Sequence, residues 1–192
     1  MLPPCPDLPR RLRAGEREAH RELAHWAGPA LLQLAQRLLG DVDAARDVRQ
    51  EALVRAIQRL DQLEDDARFG PWLMRLALNA CRDHLRRERA RSAAHERSAD
   101  DRPESIDDDP ARHAADLDER ERVAGAVAAL PELEREAVVL RHYHDQTLAE
   151  IAEVQDAPIS TVQSRLVRGL RRLEEALRER DEHAEPQRTT FG

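Results

Sequence analysis

Residues 145–172 read DQTLAEIAEVQDAPISTVQSRLVRGLRR and contain one short pattern twice. Thr147 is followed three residues later by Glu150, and Ser160 is followed three residues later by Gln163. A hydroxyl residue with Glu or Gln at this spacing forms the capping box that begins many helices. The stretch therefore predicts two helices that begin close together in the chain.

The residues between these two helix starts predict a tight turn. Asp156 is placed where the chain must bend, and Asp tolerates the left-handed conformation better than most residues other than Gly and Asn. Pro158 prevents the first helix from continuing, and Ser160 is expected to cap the second. Two helices joined by such a turn form a helix-turn-helix.

The second of these helices separates apolar residues from basic residues. At about 100° per residue, one face carries the apolar set Val162, Leu166, Leu170, Leu173 and Leu177. A different face carries Thr161, Arg165, Arg168 and Arg172, flanked by Ser164 and Arg171. A helix that reads the DNA major groove needs this division, and Ser160 with the first-turn N–H groups suits a phosphate. The alternative is a helical hairpin with a solvated charged face, in which nearby glutamates pair with the arginines.

The composition predicts an all-α protein. Of the 192 residues, 41% are hydrophobic, but only 3% are aromatic and 7 are Gly. Charged residues make up 36% of the chain, which is typical of helices with large solvated faces. The core is therefore expected to consist of Leu, Ala, Val and Ile.

The distribution of charge removes an objection to DNA binding. The net charge is −7, but residues 96–121 alone contain eleven acidic residues and four arginines, a balance of −7. The rest of the chain is therefore neutral, and its arginines are free to cluster. All 31 basic residues are Arg, which suits bidentate contacts, although a coding bias explains a complete absence of Lys better than a function does.

Apolar periodicity predicts a first group of helices before residue 91. Gly40 and Asp41 mark the end of one helix and the cap of the next, and Pro71 suits the first turn of a third. Trp72 is expected in the core rather than as a base-stacking platform. The expected apolar stripes are Leu31, Leu34, Ala35, Leu38 and Leu39, then Val48, Ala52, Leu53, Ala56, Ile57 and Leu60, then Trp72, Leu73, Leu76, Ala77, Ala80 and Leu85.

The chain is expected to form two small helical domains joined by a flexible acidic linker. Apolar periodicity fails after residue 91, where acids and two prolines accumulate. The predicted division is a disordered N-terminal extension over 1–15, a helical domain over 16–91, the linker over 92–118, a helix-turn-helix domain over 119–180 and a polar tail over 181–192.

No catalytic, metal or cofactor motif is apparent, so no enzyme activity, metal or cofactor is predicted. His142 and His144 are two residues apart, which on a helix points them to different faces, and both are expected to be solvated. Cys5 and Cys81 do not form a disulfide framework, and Cys81 is expected in the core rather than as a redox switch. Without an apolar run of about 20 residues or a signal-peptide core, the expectation is a cytoplasmic protein with no membrane insertion.

Four sequence motifs carry a family resemblance. They are DVRQEALVRA (47–56), PWLMRLALNACRDHLRR (71–87), ALPELEREAVVLRHYHDQTLAEIAEV (129–154) and PISTVQSRLVRGLRRL (158–173). With them the chain resembles the extracytoplasmic-function sigma factors, the smallest group of bacterial RNA polymerase sigma factors. In that family two helical domains, region 2 and region 4, are joined by a linker without a region 3.

The resemblance implies a transcription initiation factor whose partners are core RNA polymerase, promoter DNA and a controlling anti-sigma factor, with no small-molecule substrate. Region 2 would bind core polymerase through Asp47, Gln50 and Glu51, and the −10 element through Asn79, Arg82, Asp83 and Arg86. Region 4 would bind the −35 element through Ser160, Thr161, Ser164, Arg165, Arg168, Arg171 and Arg172. Departures from the family pattern are Ala44, Ala45 and Arg46 in place of further acids, Asp156 in place of the turn Gly, and Gln163 in place of a Lys.

Two other functions remain open on the sequence. A stand-alone helix-turn-helix regulator would use its first domain to bind a ligand or to dimerise, but a ligand pocket would need more aromatic residues and convergent polar groups. A helical adaptor that binds only proteins would have no salt-dependent affinity for DNA.

Overall fold

The computed structural model of the chain describes residues 6–95 and 122–184. Over these ranges the regular structure is helical and contains no strand, as predicted. The helices are α1 (Leu8–Arg13), α2 (Arg17–Leu39), α3 (Val42–Gln58), α4 (Phe69–His95), α5 (122–128), α6 (Glu132–His142), α7 (Leu148–Gln155) and α8 (Ile159–Ala184). Two short 3-10 turns, Leu60–Gln62 and Asp66–Arg68, connect α3 to α4.

The first domain is built from α2, α3 and α4, which pack against one another. Local signals in the sequence fix the junction of α2 and α3. Gly40 ends α2 with φ of 74°, a conformation that Gly adopts without strain. The Asp41 carboxylate then accepts a hydrogen bond of 2.7 Å from the Ala44 N–H and caps α3, as predicted.

The N-terminal segment is more ordered than predicted. Residues 8–13 of the segment predicted to be disordered form α1, in which Leu8 and Leu12 are buried against the core. Proline is tolerated in the first turn of a helix, so Pro9 does not prevent α1 from forming. The Arg13 guanidinium donates to the Asp66 carboxylate at 2.8 Å and fixes the end of α1.

The predicted core of the first domain is largely confirmed. Trp72 is only 8% exposed, and its ring centroid lies 5.9 Å from that of Phe69, which stacks in turn on Trp26. One predicted core residue is wrong: Ile57 is 38% exposed. It lies on α3 at the border of the apolar face, where sequence spacing alone does not show which side the neighbouring helices cover.

The second domain contains the predicted helix-turn-helix, formed by α7 and α8. Thr147 and Glu150 form the predicted capping box at the start of α7. Asp156 ends α7 in the left-handed conformation with φ of 50°, also as predicted. The predicted cap of α8 is wrong: α8 begins at Ile159, and the Pro158 carbonyl accepts from the N–H groups of Thr161 and Val162. Ser160 is therefore a first-turn residue rather than the cap.

The predicted boundaries shift at both linker and tail. Helix α4 extends through residues 92–95 and α8 through residues 181–184, because neither stretch contains a Gly or Pro that would end the helix. The rest of the predicted acidic linker, residues 96–118, and residues 185–192 of the predicted tail lie outside the described residues. Among the helices that the structure does describe, none combines the length and apolarity needed to span a bilayer.

The two domains pack directly against each other, which the sequence did not predict. Helix α4 contacts α7, and α2 contacts α6. The Arg37 guanidinium lies 4.3 Å from the centroid of the Tyr143 ring. Arg135 of the second domain donates a 3.0 Å hydrogen bond to the Leu38 carbonyl, at the end of α2 where carbonyls lack helical partners. Buried side chains of both domains therefore form one continuous core.

The turn residue Asp156 provides a test of the helix-turn-helix backbone. We expect Asp156→Gly to be more stable than Asp156→Ala by about 1 kcal/mol, because only Gly adopts a positive φ without a Cβ penalty. Urea unfolding of both variants measures the difference. In the interior of α7 we expect the opposite order: Glu153→Ala should be more stable than Glu153→Gly by about 1 kcal/mol, because Ala favours a helix and Gly does not. Equal stabilities of the two Asp156 variants would contradict the left-handed assignment.

Candidate nucleic-acid interface

Helix α8 carries all seven residues predicted to contact the −35 element. Thr161 and Arg165 are half-buried, and the others are exposed: Ser160, Ser164, Arg168, Arg171 and Arg172. The hydroxyl of Ser164 donates to the Ser160 carbonyl at 2.9 Å, within the first turns of the helix. The N-terminal half of α8 therefore presents a polar and cationic surface.

A buried carboxylate on α6 holds two of these arginines. Glu134 is 7% exposed, and its Oε1 accepts from Arg168 Nε at 3.1 Å. Arg172 Nε lies 3.1 Å from the other oxygen of Glu134. Both arginine side chains remain about half exposed, at 54% and 52%. A guanidinium held at Nε still carries Nη donors, so Glu134 orients these groups without occupying all of them.

Gly169 brings α8 close enough to α6 for these pairs to form. A Cβ at this position would lie 2.9 Å from Cγ2 of Val138 and 3.3 Å from the Glu134 carbonyl oxygen. A residue larger than Gly fits that spacing only if the Val138 side chain or one of the two helices shifts. The sequence prediction missed both Glu134 and Gly169; a lone Gly inside a helical pattern is the signal that indicates close packing.

Two further arginines of α8 differ in their surroundings. Arg165 Nη1 donates to Gln155 Oε1 at 2.9 Å, and Gln155 is 6% exposed. Arg171 is 73% exposed and lies 3.5 Å from Glu175 on the next turn of the helix. Arg165 is thus anchored to α7, whereas Arg171 extends from the surface.

The four residues predicted to contact the −10 element lie on α4 but differ in accessibility. Asn79 is exposed, and the Arg86 side chain is 72% exposed. Asp83 accepts from Arg55 at 3.1 Å and from Arg86 at 3.3 Å, so its carboxylate is directed to cations of its own domain.

The fourth of these residues, Arg82, contacts the other domain. Its Nε and Nη2 donate to the two carboxylate oxygens of Glu136 at 2.8 and 2.6 Å. This bidentate contact raises the pKa of the Arg82 guanidinium above its ordinary value. Neither Glu136 nor the pairing was predicted from the sequence.

A cleft beside α4 contains a cation that the sequence prediction did not include. Arg75 is exposed one turn before Asn79 and lines this cleft with Trp72 and Arg68. Asp65 from between the two 3-10 turns, Glu153 from α7 and Asp156 from the turn after it also line the cleft. Arg75, Asn79 and Arg86 therefore extend one polar face along α4.

The residues predicted to bind polymerase lie on α3. Asp47 and Gln50 are exposed, whereas Glu51 is half-buried and its carboxylate lies 2.6 Å from Arg55 and 3.4 Å from Arg87. The exposed pair belongs to a longer row at spacings of three and four residues. This row, called here the α3 stripe, consists of Asp43, Asp47, Gln50, Val54 and Ile57. It combines carboxylates, an amide and two exposed apolar side chains.

His142, His144 and Cys81 differ in their burial. Within residues 6–95 and 122–184, no three His, Cys, Asp or Glu side chains are grouped as metal ligands. His142 is exposed, but His144 is mostly buried, contrary to the prediction of two solvated histidines, and burial lowers the pKa of His144 to about 4. Cys81 is 1% exposed, and burial raises the pKa of its thiol to about 12, as expected for a core residue. Cys5 lies outside the described residues.

Comparisons with known proteins match both halves of the chain. The family profile described as Sigma-70 region 2 matches residues 27–91, and that of Sigma-70, region 4 matches residues 120–173. The chain is 26% identical to the ECF RNA polymerase sigma factor SigW of Bacillus subtilis over 88% of this chain and 95% of that protein. It is 30% identical to the RNA polymerase sigma-H factor of Pseudomonas aeruginosa over 88% of this chain and 92% of that protein.

A solved structure resembles this chain over both domains. It is the sigma factor RpoE of Bartonella quintana, in a complex with the anti-sigma factor NepR. The TM-score is 0.67 at 26% sequence identity, and the match covers 82% of this chain and 96% of that one.

Gly169 provides a test of how α8 is positioned. We expect Gly169→Ala to destabilise the protein by about 1–3 kcal/mol, because the added methyl overlaps Val138. Urea unfolding of Gly169→Ala, Val138→Ala and the double variant gives the coupling energy between the two sites. The double variant should be more stable than the sum of the two single effects implies. Strict additivity would show that the methyl does not meet Val138.

His144 predicts a specific loss of stability in mild acid. Its folded pKa of about 4 lies below the ordinary 6.5 because burial disfavours the charged form. The unfolded chain therefore binds a proton first as pH falls, so stability present above pH 6.5 is lost progressively toward pH 4. Relative to wild type, His144→Asn should retain about 2 kcal/mol more stability on going from about pH 7 to about pH 5. Calorimetric Tm values at several pH values measure this, and the exposed His142→Asn should follow wild type.

Proposed function

The chain belongs to the extracytoplasmic-function group of the sigma-70 family of RNA polymerase sigma factors, and on this premise we propose how its residues act. The chain binds core RNA polymerase, directs it to promoters by recognising the −10 and −35 elements, and helps to open the DNA. The observation that carries the residue assignments is the presence, on one chain, of exposed polar faces on α3, α4 and α8. Each face corresponds to one of the three contacts that this activity needs.

Helix α8 is proposed to enter the major groove at the −35 element. A recognition helix uses its N-terminal residues on base edges and its flanking cations on phosphates. Ser160, Ser164 and Arg171 are exposed and free to approach the DNA from the first turns and the outer side. Arg168 and Arg172 are oriented by Glu134, which lowers the entropy lost when they bind phosphate.

Helix α4 is proposed to hold the non-template strand of the −10 element. Opening the duplex requires a base to leave the stack, at a cost of a few kcal/mol that contacts to the strand must offset. Asn79 offers an amide to a base edge, and the exposed guanidinium groups of Arg75 and Arg86 offer phosphate contacts. Arg82 contributes once it is released from Glu136, and Asp83 supports the site by orienting Arg86.

The α3 stripe is proposed to bind core polymerase. Its carboxylates speed docking onto a basic surface, and its two exposed apolar residues, Val54 and Ile57, supply the dry centre that stable interfaces contain. Asp43 has an 88% exposed side chain and lies one turn before Asp47. It supplies an acid on this face where the family's further acids are replaced by Ala44, Ala45 and Arg46.

Glu51 is assigned a supporting role in the same region. Its carboxylate pairs with Arg55 and Arg87, which joins α3 to α4. We therefore separate Glu51 from Asp47 and Gln50, which face outward.

Sigma factors are transcription initiation factors, so this chain is proposed to have no catalytic activity of its own and to act in the cytoplasm beside polymerase. No cofactor or small-molecule substrate is assigned to it. The likeness to a sigma factor solved with the anti-sigma factor NepR supports control of this chain by an anti-sigma factor as well.

Transcription with purified polymerase tests the proposal. The protein is mixed with sigma-free core polymerase and a library of genomic fragments, and transcripts are sequenced. A sigma factor yields transcripts that begin downstream of a shared pair of sequence elements. A stand-alone regulator or a protein adaptor yields none above the background of core polymerase, and that result would refute the proposal.

Matched variants assign the contacts in two binding assays, of the holoenzyme with promoter DNA and of the chain with core polymerase. Arg171→Ala should lower promoter occupancy and reduce the slope of log affinity against log salt by about 1. Substitution of Arg21, a 75% exposed arginine on α2, by Ala should leave the promoter occupancy and the salt slope unchanged.

Combined Asp47→Ala and Gln50→Ala substitutions should weaken core binding by about tenfold, whereas Glu18→Ala on α2 should not. Loss of function in the α2 variants instead would remove these residue assignments.

A further inference from the structure

A buried ion pair joins α4, the proposed −10 helix of the first domain, to α6 of the second domain. Glu136 on α6 is 1% exposed, and both of its carboxylate oxygens accept from Arg82 on α4. The Arg82 side chain is itself only 19% exposed. The cation belongs to region 2 and the anion to region 4, so this contact exists only while the domains are packed together.

The pair occupies groups that the proposed function needs for DNA. A guanidinium binds carboxylate and phosphate through the same fork of N–H groups. Arg82 uses Nε and Nη2 on Glu136, and its remaining Nη1 lies 3.4 Å from the side-chain oxygen of Asn79. Arg82 cannot hold a phosphate in this arrangement, and Asn79 is contacted by the same side chain.

The contact continues from Glu136 to the recognition helix. Glu136 Oε2 also accepts from Gln155 Nε2 at 3.1 Å, and Gln155 Oε1 accepts from Arg165 at 2.9 Å. Only two side chains therefore separate a −10 arginine from a −35 arginine. The −10 and −35 elements are named for their positions on the promoter, which are about 25 base pairs apart. At 3.4 Å per base pair this is about 85 Å along B-DNA. The packed arrangement cannot read both elements at once.

Further arginine–glutamate pairs surround the central one. Arg89 lies 2.9 Å from Glu132, and Arg68 pairs with Glu153. In both pairs the arginine belongs to region 2 and the glutamate to region 4. The cationic side of α4 and of the 3-10 turn before it thus meets an acidic side of region 4 in the place where DNA would lie.

We propose that this structure is a closed form in which Glu136 takes the place of a promoter phosphate on Arg82. Sigma activity then requires the domains to separate and Arg82 to exchange the carboxylate for DNA. This inference rests on the proposed function and adds its regulation. In the free protein, region 4 prevents region 2 from binding DNA. The Arg82–Glu136 pair, called here the clasp, holds the two domains together.

The small net stability of a buried ion pair allows the clasp to open. Burying two charges costs desolvation free energy that their attraction only partly offsets, so a buried ion pair adds little net stability. The free energy of Arg82 bound to a carboxylate is therefore close to that of Arg82 bound to a phosphate. Removing the charge of Glu136 shifts that balance, because the Arg82 guanidinium then loses a charge-assisted acceptor and gains more from water or DNA.

A distance measurement on free protein tests the clasp without DNA or polymerase. Labels are attached at Gln58→Cys on α3 and Gln163→Cys on α8, both exposed positions, in a Cys5→Ser background. Cys81 stays unlabelled because it is buried. Wild type should give one short separation, and Glu136→Gln should raise the open population by about tenfold. Glu132→Gln, which removes a more exposed pair, should change it by less than about threefold.

Variants on the other side of the clasp separate opening from misfolding. Arg82→Gln should open the protein to the same extent, with the helical circular dichroism of wild type. The exchanged pair Arg82→Glu with Glu136→Arg should restore the short separation. An unchanged separation in both single variants, or a long separation in wild type, would overturn the clasp.

A binding measurement tests the exchange with DNA. Because phosphate contacts carry no sequence information, the probe is a pool of single-stranded DNA 20-mers of random sequence. Glu136→Gln should bind the pool about tenfold tighter than wild type, and added Arg82→Gln should abolish the gain. A Glu136→Gln variant that opens without this gain would refute the exchange. Absence of promoter-dependent transcripts would refute the proposed function and leave the distance result standing.

Discussion

Two carboxylates on α6 must be neutralised before this structure can form. Glu134 and Glu136 are two residues apart, so on a helix they point to different sides. Glu134 meets Arg168 and Arg172 of the recognition helix, and Glu136 meets Arg82 of the other domain. Because a buried charge without a partner is very costly, α6 fixes both the orientation of α8 and the docking of region 2.

Arginine suits these positions for a geometric reason. Arg82 places two N–H groups on the two oxygens of one carboxylate, which a Lys ammonium cannot do in a plane. Arg168 is hydrogen-bonded to Glu134 at Nε and Arg172 is in an ion pair with it, so their outer amino groups remain for a second acceptor. A coding bias accounts for the absence of Lys, and the fold makes use of the guanidinium that results.

Local rules predicted the helices, and non-local contacts explain most of what was missed. The caps at Asp41 and Thr147, the left-handed Asp156 and the helix-turn-helix follow from spacing and from residue chemistry within one turn. The buried position of Trp72 follows from its apolar stripe. Helix α1 was missed because two leucines in a Pro- and Arg-rich segment give too short a pattern. Pairing of Arg82 with Glu136, which are 54 residues apart, depends on the docking of two domains and has no local signal.

The same limit applies to the site residues. The sequence identified which polar residues share a face of α3, α4 or α8, because helical spacing determines that. It did not show which of these residues face outward, as Asp47, Asn79 and Arg171 do. Nor did it show which form ion pairs with other residues of the chain, as Glu51, Asp83 and Arg82 do. The α3 stripe stays exposed while the domains are packed, so the closed form already presents its proposed polymerase contact. Polymerase can then dock before the clasp opens, and promoter phosphates need only replace one carboxylate on Arg82 at a site that polymerase has brought to the DNA.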